Sequence, residues 1–370
     1  MIHPGLEWKS HAARLADDLI AAGKLTDPRL ADAVRETPRH VFVPAYHRQT
    51  ADGGWAEHRS TDDLAAVYAN TALITALTPE RAVLSSSTQP GLMTRMIESL
   101  QLADGMRVLE IGTGTGYNAA LLTHLLGERN VFSIDIEPGL VELARTRIPG
   151  RPTLVTGDGA QGLPEHAPFD AIIATCAVPA IPWPWIDQVR PGGVILADLK
   201  PAPGAGSLVR LTRQGDGAEG RFDPTYAAFM DLRPAPGTAG FRVERGHAEY
   251  RTTDVDPNTP WTSLVTWFIA SFDLGSEIAY GYTFPEGSAA SSIATPDGSW
   301  AEITLAAENG RHAVAEGGPR RLWRLVEEAH RLWTDLGCPG WDRFGFTATP
   351  QAQTVSLDGG HSWRVTGGPE

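Results

Sequence analysis

The stretch from Arg107 to Ala120, Arg-Val-Leu-Glu-Ile-Gly-Thr-Gly-Thr-Gly-Tyr-Asn-Ala-Ala, limits the possible folds of this chain more than any other. Val108, Leu109 and Ile111 form a short apolar run bounded by turn signals, which predicts a parallel strand covered on both faces. Glycines at 112, 114 and 116 remove side chains where the backbone must bend sharply and let a ligand come close. A helix starting near Gly116 then aims free N–H groups at whatever occupies the turn. The dinucleotide fingerprint needs G-x-G-x-x-G, and its last glycine would fall on Tyr117. The spacing is instead G-x-G-x-G, preceded by the acid Glu110. The next strand-like run, Asn130 to Asp135, ends in a carboxylate that could accept from both hydroxyls of a ribose. With no Walker lysine and no third-glycine turn, S-adenosylmethionine suits the stretch better than NAD or ATP.

Further strand-like segments follow at βα spacing. Thr153 to Thr156 runs into Gly157-Asp158-Gly159, then come Phe169 to Ala174 and Gly193 to Ala197. Strands alternating with helices predict a doubly wound, Rossmann-like parallel sheet, which binds ligands at the carboxyl ends of its strands. Glu110/Gly112, Asp135, Asp158 and Ala174-Thr175 all fall at such ends, so four strands point to one crevice.

Upstream, Trp8, Ala12, Leu15, Leu19 and Ala22 recur at helical spacing, and Thr26-Asp27-Pro28 starts a second helix. His40 to Pro44 reads as extended and residues 47–63 as a polar loop, a candidate lid. Val83 to Pro90 reads as a hydroxyl-rich turn running into a helix. Beyond Leu199, Ser207 to Arg213 alternates like an antiparallel strand, and Arg233 to Gly240 reads as a linker. After it, strand-like stretches at Leu264 to Ile269, Ser299 to Leu305 and Thr354 to Leu357 surround one amphipathic helix, about Pro319 to Leu336. The expected organisation is residues 1–80 as helices and a substrate-side loop of the catalytic unit, 81–235 as the S-adenosylmethionine-binding methyltransferase domain, and 240–370 as a smaller α+β accessory domain.

The 370 residues suffice for two domains, and 42% hydrophobic with 20% charged residues is the balance of a globular protein. A net charge of −13 argues against a nucleic-acid partner. Cys176 and Cys338 are too few and too far apart for a disulfide scaffold or a zinc site, so no metal is expected. The amino-terminal residues carry no apolar targeting core and no stretch could span a bilayer, which predicts a cytoplasmic protein with no membrane partner.

Across about residues 30 to 233 the chain resembles the protein-L-isoaspartate (D-aspartate) O-methyltransferases. The resemblance is carried by Arg39-His40-Val41-Phe42-Val43-Pro44, Thr88-Gln89-Pro90, Val108 to Tyr117 with the following Asn-Ala-Ala, Gly157-Asp158-Gly159, Ala167-Pro168-Phe169-Asp170, Ile181-Pro182 and Phe229-Met230-Asp231-Leu232. It implies that Gly112, Gly114 and Gly116 cradle the methionine part of S-adenosylmethionine with Glu110 close by. Asp135 would hold the ribose and Asp158 with Gly159 would meet the adenine. Ser87, Thr113 and Ile136 count among the implied cofactor contacts, and the product would be S-adenosylhomocysteine. The family's active-site serine falls on Thr88, a departure that keeps the hydroxyl but adds a methyl and stiffens the side chain. The carboxyl-terminal extension is similar to that of members associated with maturation of ribosomally made peptides, where an ordinary aspartate is the acceptor.

The chemistry implied is transfer of a methyl group to an aspartyl or isoaspartyl carboxylate of a peptide or protein. A carboxylate is already ionised at neutral pH, so alignment and exclusion of water matter more than a general base. The ester can then close to a succinimide (aspartimide) or open to isoaspartate. The alternatives are repair of isoaspartyl proteins, a small-molecule carboxyl methyltransferase, and a non-catalytic S-adenosylmethionine-binding subunit that recruits peptides.

Overall fold

The computed structural model describes residues 7–233, 247–284, 288–358 and 360–365. The chain divides into two compact units, Met1–Cys176 with Pro184–Leu196, and Ala177–Trp183 with Ala197–Glu370. The linker expected at 233–240 falls, from residue 234 on, outside the described residues.

The first unit opens with α1 (Glu7–Ala21) and α2 (Pro28–Glu36). Ala12, Leu15, Ala16 and Leu19 form the buried face of α1 at the three-to-four spacing of an amphipathic helix. Asp27 caps α2 by accepting from the Arg29 N–H, with Pro28 preset for the first helical position. The extended reading of His40 to Pro44 is corrected, because Arg39–Phe42 make one helical turn, α3. Its buried residues, Arg39 and Phe42, lie three apart and so share a side.

Residues 47–63 are not a loop throughout. β1 (Ala45–Gln49) and β2 (Trp55–Arg59) pair as an antiparallel hairpin with His47 opposite Glu57. After α4 (Leu64–Val67), β3 (Leu73–Leu77) and β4 (Val83–Ser87) complete a four-stranded sheet of order β2-β1-β3-β4. The hydroxyl-rich stretch is therefore a strand, and it runs into α5 (Pro90–Ser99).

Next come β5 (Val108–Ile111), α6 (Tyr117–Leu126), β6 (Val131–Asp135), α7 (Pro138–Arg147), β7 (Thr153–Thr156), β8 (Phe169–Val178), α8 (Trp183–Gln188) and β9 (Val189–Ala202). The order β8-β5-β6-β7 is parallel, with Ile111 level with Ile134 on one side and Ala174 on the other. Every residue of β5 and β6 is buried, the polar Glu110, Ser133 and Asp135 included, as in a parallel strand covered on both faces. The chain builds outward from β5 first through β6 and β7, then through β8. That reversal is the switch point at which doubly wound sheets hold their ligands.

The second unit continues with β10 (Ala205–Gln214), β11 (Gly217–Phe222), β12 (Ala248–Thr253), α9 (Thr259–Thr262), α10 (Leu264–Leu274), β13 (Ala279–Thr283), β14 (Ala290–Ala294), β15 (Trp300–Glu308), β16 (Arg311–Gly317), α11 (Leu322–Asp335), β17 (Phe344–Ala348), β18 (Gln353–Leu357) and β19 (His361–Arg364). β10 and β11 pair antiparallel, and β17, β18 and β19 extend from β11 in that order. A separate antiparallel sheet runs β12-β16-β15-β14-β13. The strand expected at Leu264 to Ile269 is a correction: it is the start of helix α10, buried at Thr266 through Ser271. Trp267 and Trp323 are fully buried, so the tryptophan-rich composition of this region serves mainly its core. No helix among the described residues is long and apolar enough to cross a membrane.

Candidate active site

Hydrogen bonds tie together the strand ends that the sequence brings to one crevice. Leaving β5, the Gly112 N–H donates to Ile134 O at 2.8 Å, and the Gly114 N–H donates to Asp135 Oδ2 at 2.8 Å. From beyond β7 the Gly157 N–H donates to Asp135 O at 2.9 Å. On the other side Thr175 Oγ1 donates to Gly112 O at 2.8 Å and lies 3.1 Å from Ile111 O. The glycine loop is thus held from both neighbouring strands.

The loop requires its glycines. Gly112, Gly114 and Gly116 have φ of +94°, +51° and +85°, the left-handed region that penalises any side chain. A Cβ on Gly112 would stand 2.8 Å from Thr175 Oγ1, and one on Gly116 2.9 Å from Ala144 Cβ. At Gly114 the nearest atoms would be Ser85 Oγ at 3.7 Å and Ser86 O at 3.9 Å, so a side chain there would fill the gap between the loop and β4. α6 starts on Gly116 without a side-chain cap, and its ladder begins with Ala120 N–H to Gly116 O.

Beneath the loop lies a buried polar chain. Glu110 is fully buried, accepting from Asn118 Nδ2 at 2.6 Å and from Ser133 Oγ at 2.5 Å. Ser133 Oγ in turn lies 2.6 Å from Thr113 Oγ1. Burial pushes the Glu110 carboxyl up to about 7, the neighbouring Asp135 charge adds to the rise, and the two hydrogen bonds oppose it. Glu110 therefore braces the loop from inside. Sequence reasoning placed Thr175 at a strand end facing the crevice but missed Asn118 and Ser133. Both had a signal, since each is a polar residue within a buried stretch.

Asp135 stands at the site's centre, its Oδ1 accepting from the Glu137 N–H at 3.0 Å as Oδ2 does from Gly114. Each oxygen keeps a second lone pair, the capacity a ribose diol needs. Ile136 follows it, half-buried. Asp158 accepts from the Ala160 N–H at 2.9 Å, and Trp185 Nε1 donates to Gly159 O at 2.8 Å, which anchors the turn after β7.

The hydroxyl strand lies on the other side of the loop. Ser85 and Ser87 are buried, Ser86 and Thr88 half-buried. The Ser87 hydroxyl accepts from Arg39 Nη2 at 3.3 Å, whereas Ser85 and Ser86 stand nearest Gly114. Gln89 begins α5 without a side-chain cap, and among the described residues the Thr88 hydroxyl has no partner. Thr88 is therefore not spent on capping the helix. The residues present fit S-adenosylmethionine: a loop gap that a Cβ would fill, a carboxylate with spare acceptor capacity, and a free hydroxyl close by.

A family profile described as protein-L-isoaspartate(D-aspartate) O-methyltransferase (PCMT) matches residues 10–230. The protein-L-isoaspartate O-methyltransferase of Roseiflexus castenholzii (strain DSM 13941 / HLO8) is 38% identical over 213 residues, 57% of this chain and 87% of its own. The one from Methylorubrum populi (strain ATCC BAA-705 / NCIMB 13946 / BJ001) is 36% identical over 234 residues, 62% and 98% of the two chains. A solved structure titled protein-L-isoaspartate O-methyltransferase shares the fold with a TM-score of 0.56 at 20% identity, covering 94% of this chain and 99% of its own. That coverage takes in residues past 240. With the profile spanning more than half of its residues, the chain belongs to the protein-L-isoaspartate (D-aspartate) O-methyltransferase family of S-adenosylmethionine-dependent carboxyl methyltransferases.

Proposed function

We propose that this chain esterifies the side-chain or isoaspartyl carboxylate of an aspartate-derived residue in a peptide or protein. The observation that carries the reading is the free Thr88 hydroxyl, among the described residues, directly after strand β4, whose Ser85 and Ser86 abut Gly114 of the glycine loop. Bound S-adenosylmethionine supplies an electrophilic methyl group. Gly112, Gly114 and Gly116 make room for its methionine part, with Thr113 and Glu110 stiffening the loop from below. Asp135 would accept from the ribose, beside Ile136, and Asp158 with Gly159 would border the adenine. Ser87, counted among the cofactor contacts, also accepts from Arg39 Nη2.

The acceptor carboxylate arrives ionised, so no proton need be removed. Thr88 donates to the carboxylate oxygen that does not attack and fixes its direction. Holding the carboxylate in line with the methyl group favours attack. With S-adenosylmethionine held there, its sulfonium would supply the methyl group: one carboxylate C–O bond would form as the S–CH3 bond breaks, the bonding electrons staying on sulfur. In the ester, the next backbone nitrogen can attack the side-chain carbonyl. Methanol leaves, and a succinimide is the product.

The narrower reading, maturation of a ribosomally made peptide, rests on the extension. The fold likeness of a chain titled only as an isoaspartate methyltransferase over 94% of this one favours isoaspartyl acceptors at least equally. The test mixes protein, S-adenosylmethionine and paired synthetic peptides that differ only in aspartyl or isoaspartyl linkage. A base-labile gain of one methyl group is expected on at least one member of the pair. Labelling of the isoaspartyl member alone would remove the maturation reading, and labelling of free small carboxylates alone would remove both.

A further inference from the structure

Arg39 is a fully buried cation whose hydrogen bonds among the described residues go only to carbonyl and hydroxyl oxygens. Nη1 donates to Val67 O at 2.8 Å and Ala69 O at 3.0 Å. Nη2 donates to Thr71 O at 3.2 Å, Ser87 Oγ at 3.3 Å and Thr88 O at 3.3 Å, with Ser87 O at 3.5 Å. Nε is buried with no partner. Desolvating a cation without an opposing charge is expensive, and an apolar side chain could fill the same volume. A planar fork, however, can hold two chain segments at a fixed separation. One arm grips the turn after α4 and the other reaches the end of β4. The guanidinium carbon also stands 5.8 Å from the centroid of the Tyr117 ring, the first residue of α6 behind Gly116. Phe42, on the same side of α3, meets that ring at 5.7 Å. A single side chain thus touches the acceptor strand and the helix that carries the glycine loop.

We propose that Arg39 is a positioning residue that fixes the Ser87–Thr88 backbone against Tyr117 and so sets the Thr88 hydroxyl relative to the glycine loop. This rests on the role given to Thr88 above. Lysine keeps the charge, but its single nitrogen cannot grip both segments at once. In the Arg39→Lys variant the Thr88 hydroxyl should therefore wander while the glycine loop stays intact.

The test is a double-mutant cycle on the full chain, with Arg39→Lys, Thr88→Ala and the pair. It measures kcat and KM on the synthetic isoaspartyl and aspartyl peptides, S-adenosylhomocysteine affinity, and amide hydrogen exchange. Arg39→Lys should lower kcat about tenfold or more with Thr88 present and about twofold or less with alanine there. Affinity for S-adenosylhomocysteine should stay within about threefold, while amides of residues 86–89 exchange about tenfold faster and those of β5–β7 do not. Equal loss of kcat in both backgrounds overturns the proposal, as does unchanged exchange at 86–89. Should the lysine variant fail to fold, Ser87→Ala removes one acceptor of the same arm. It should show a smaller loss that likewise vanishes with Thr88→Ala, and an undiminished loss there overturns the proposal. If the wild-type chain labels neither peptide, the functional reading fails. Exchange then decides the matter for Arg39 alone, faster exchange at 86–89 supporting its hold and unchanged exchange refuting it.

Discussion

Replacing Glu110 by glutamine isolates the one acid buried beneath the cofactor loop. Glu110 is 0% exposed and its carboxyl is pushed from 4.5 up to about 7, mainly by burial. In the unfolded chain it ionises near 4.5, whereas the folded chain keeps the proton until about 7. Between those values the folded state binds more protons, so stability falls as pH rises. Below 4.5 the penalty is absent, and above about 7 it is complete and constant. A rise of about 2.5 corresponds to roughly 3 kcal/mol. Glutamine matches the shape and cannot ionise. Its oxygen can accept from Asn118 Nδ2, and its amide can donate to Ser133 Oγ, which then turns its own proton to Thr113 Oγ1. Glu110→Gln should therefore gain about 3 kcal/mol relative to wild type on going from pH 4.5 to 8, a relative Tm gain of about 6–12 °C for a unit of this size. The assay is a melting series across that pH range at fixed ionic strength. Where two transitions appear, the relevant one rises with added S-adenosylhomocysteine. Parallel melting curves for the two proteins at every pH would refute both the raised carboxyl and the argument from burial.

Gly112→Ala imposes a side chain at φ +94° and drives its Cβ to 2.8 Å from Thr175 Oγ1. The variant should lose about 2–4 kcal/mol of stability, measured by urea unfolding, and Thr175→Ala should recover the part due to the clash but not the part due to φ. Asp135→Ala removes the acceptor of the Gly114 and Glu137 N–H groups together with the proposed ribose contact. S-adenosylhomocysteine affinity by calorimetry should fall about 30-fold or more, near 2 kcal/mol, and an unchanged Kd would remove the ribose assignment.

What could be read from the sequence was local and periodic. β5 and β6 announce themselves as apolar runs, the three glycines as a backbone in the left-handed region, and Asp135 as a carboxylate at a strand end. The misread segments are those in which tertiary contacts overrule local pattern. Leu264 to Ile269 is apolar except for Thr266, and such a run fits a buried helix as well as a buried strand. Trp55 to Arg59 becomes a strand only by pairing with β1, because Trp-Ala-Glu-His-Arg shows no alternation of apolar and polar residues. Arg39 sat in plain view within Arg-His-Val-Phe-Val-Pro. Nothing in that string says that its acceptors lie 28 to 49 residues further on.

The charged residues around the loop share one use. Asp135 takes two backbone N–H groups, Asp158 takes one, Glu110 takes an amide and a hydroxyl, and Arg39 takes carbonyls and a hydroxyl. In those bonds the partner is a dipole fixed in the backbone or a short side chain, not a mobile ion of opposite sign. Such bonds hold geometry at short range and are little weakened by salt once buried. A reaction whose nucleophile arrives already ionised needs that more than it needs a proton acceptor. The carboxyl closest to neutrality in pKa, Glu110, accordingly lies sealed under the loop with both oxygens engaged, in no position to take a proton from a substrate. Among the described residues the Thr88 hydroxyl, directly after β4, is left free. Because threonine's branched Cβ admits few orientations, the direction of that hydroxyl depends on the backbone beneath it, and Arg39 holds the carbonyl of that same residue.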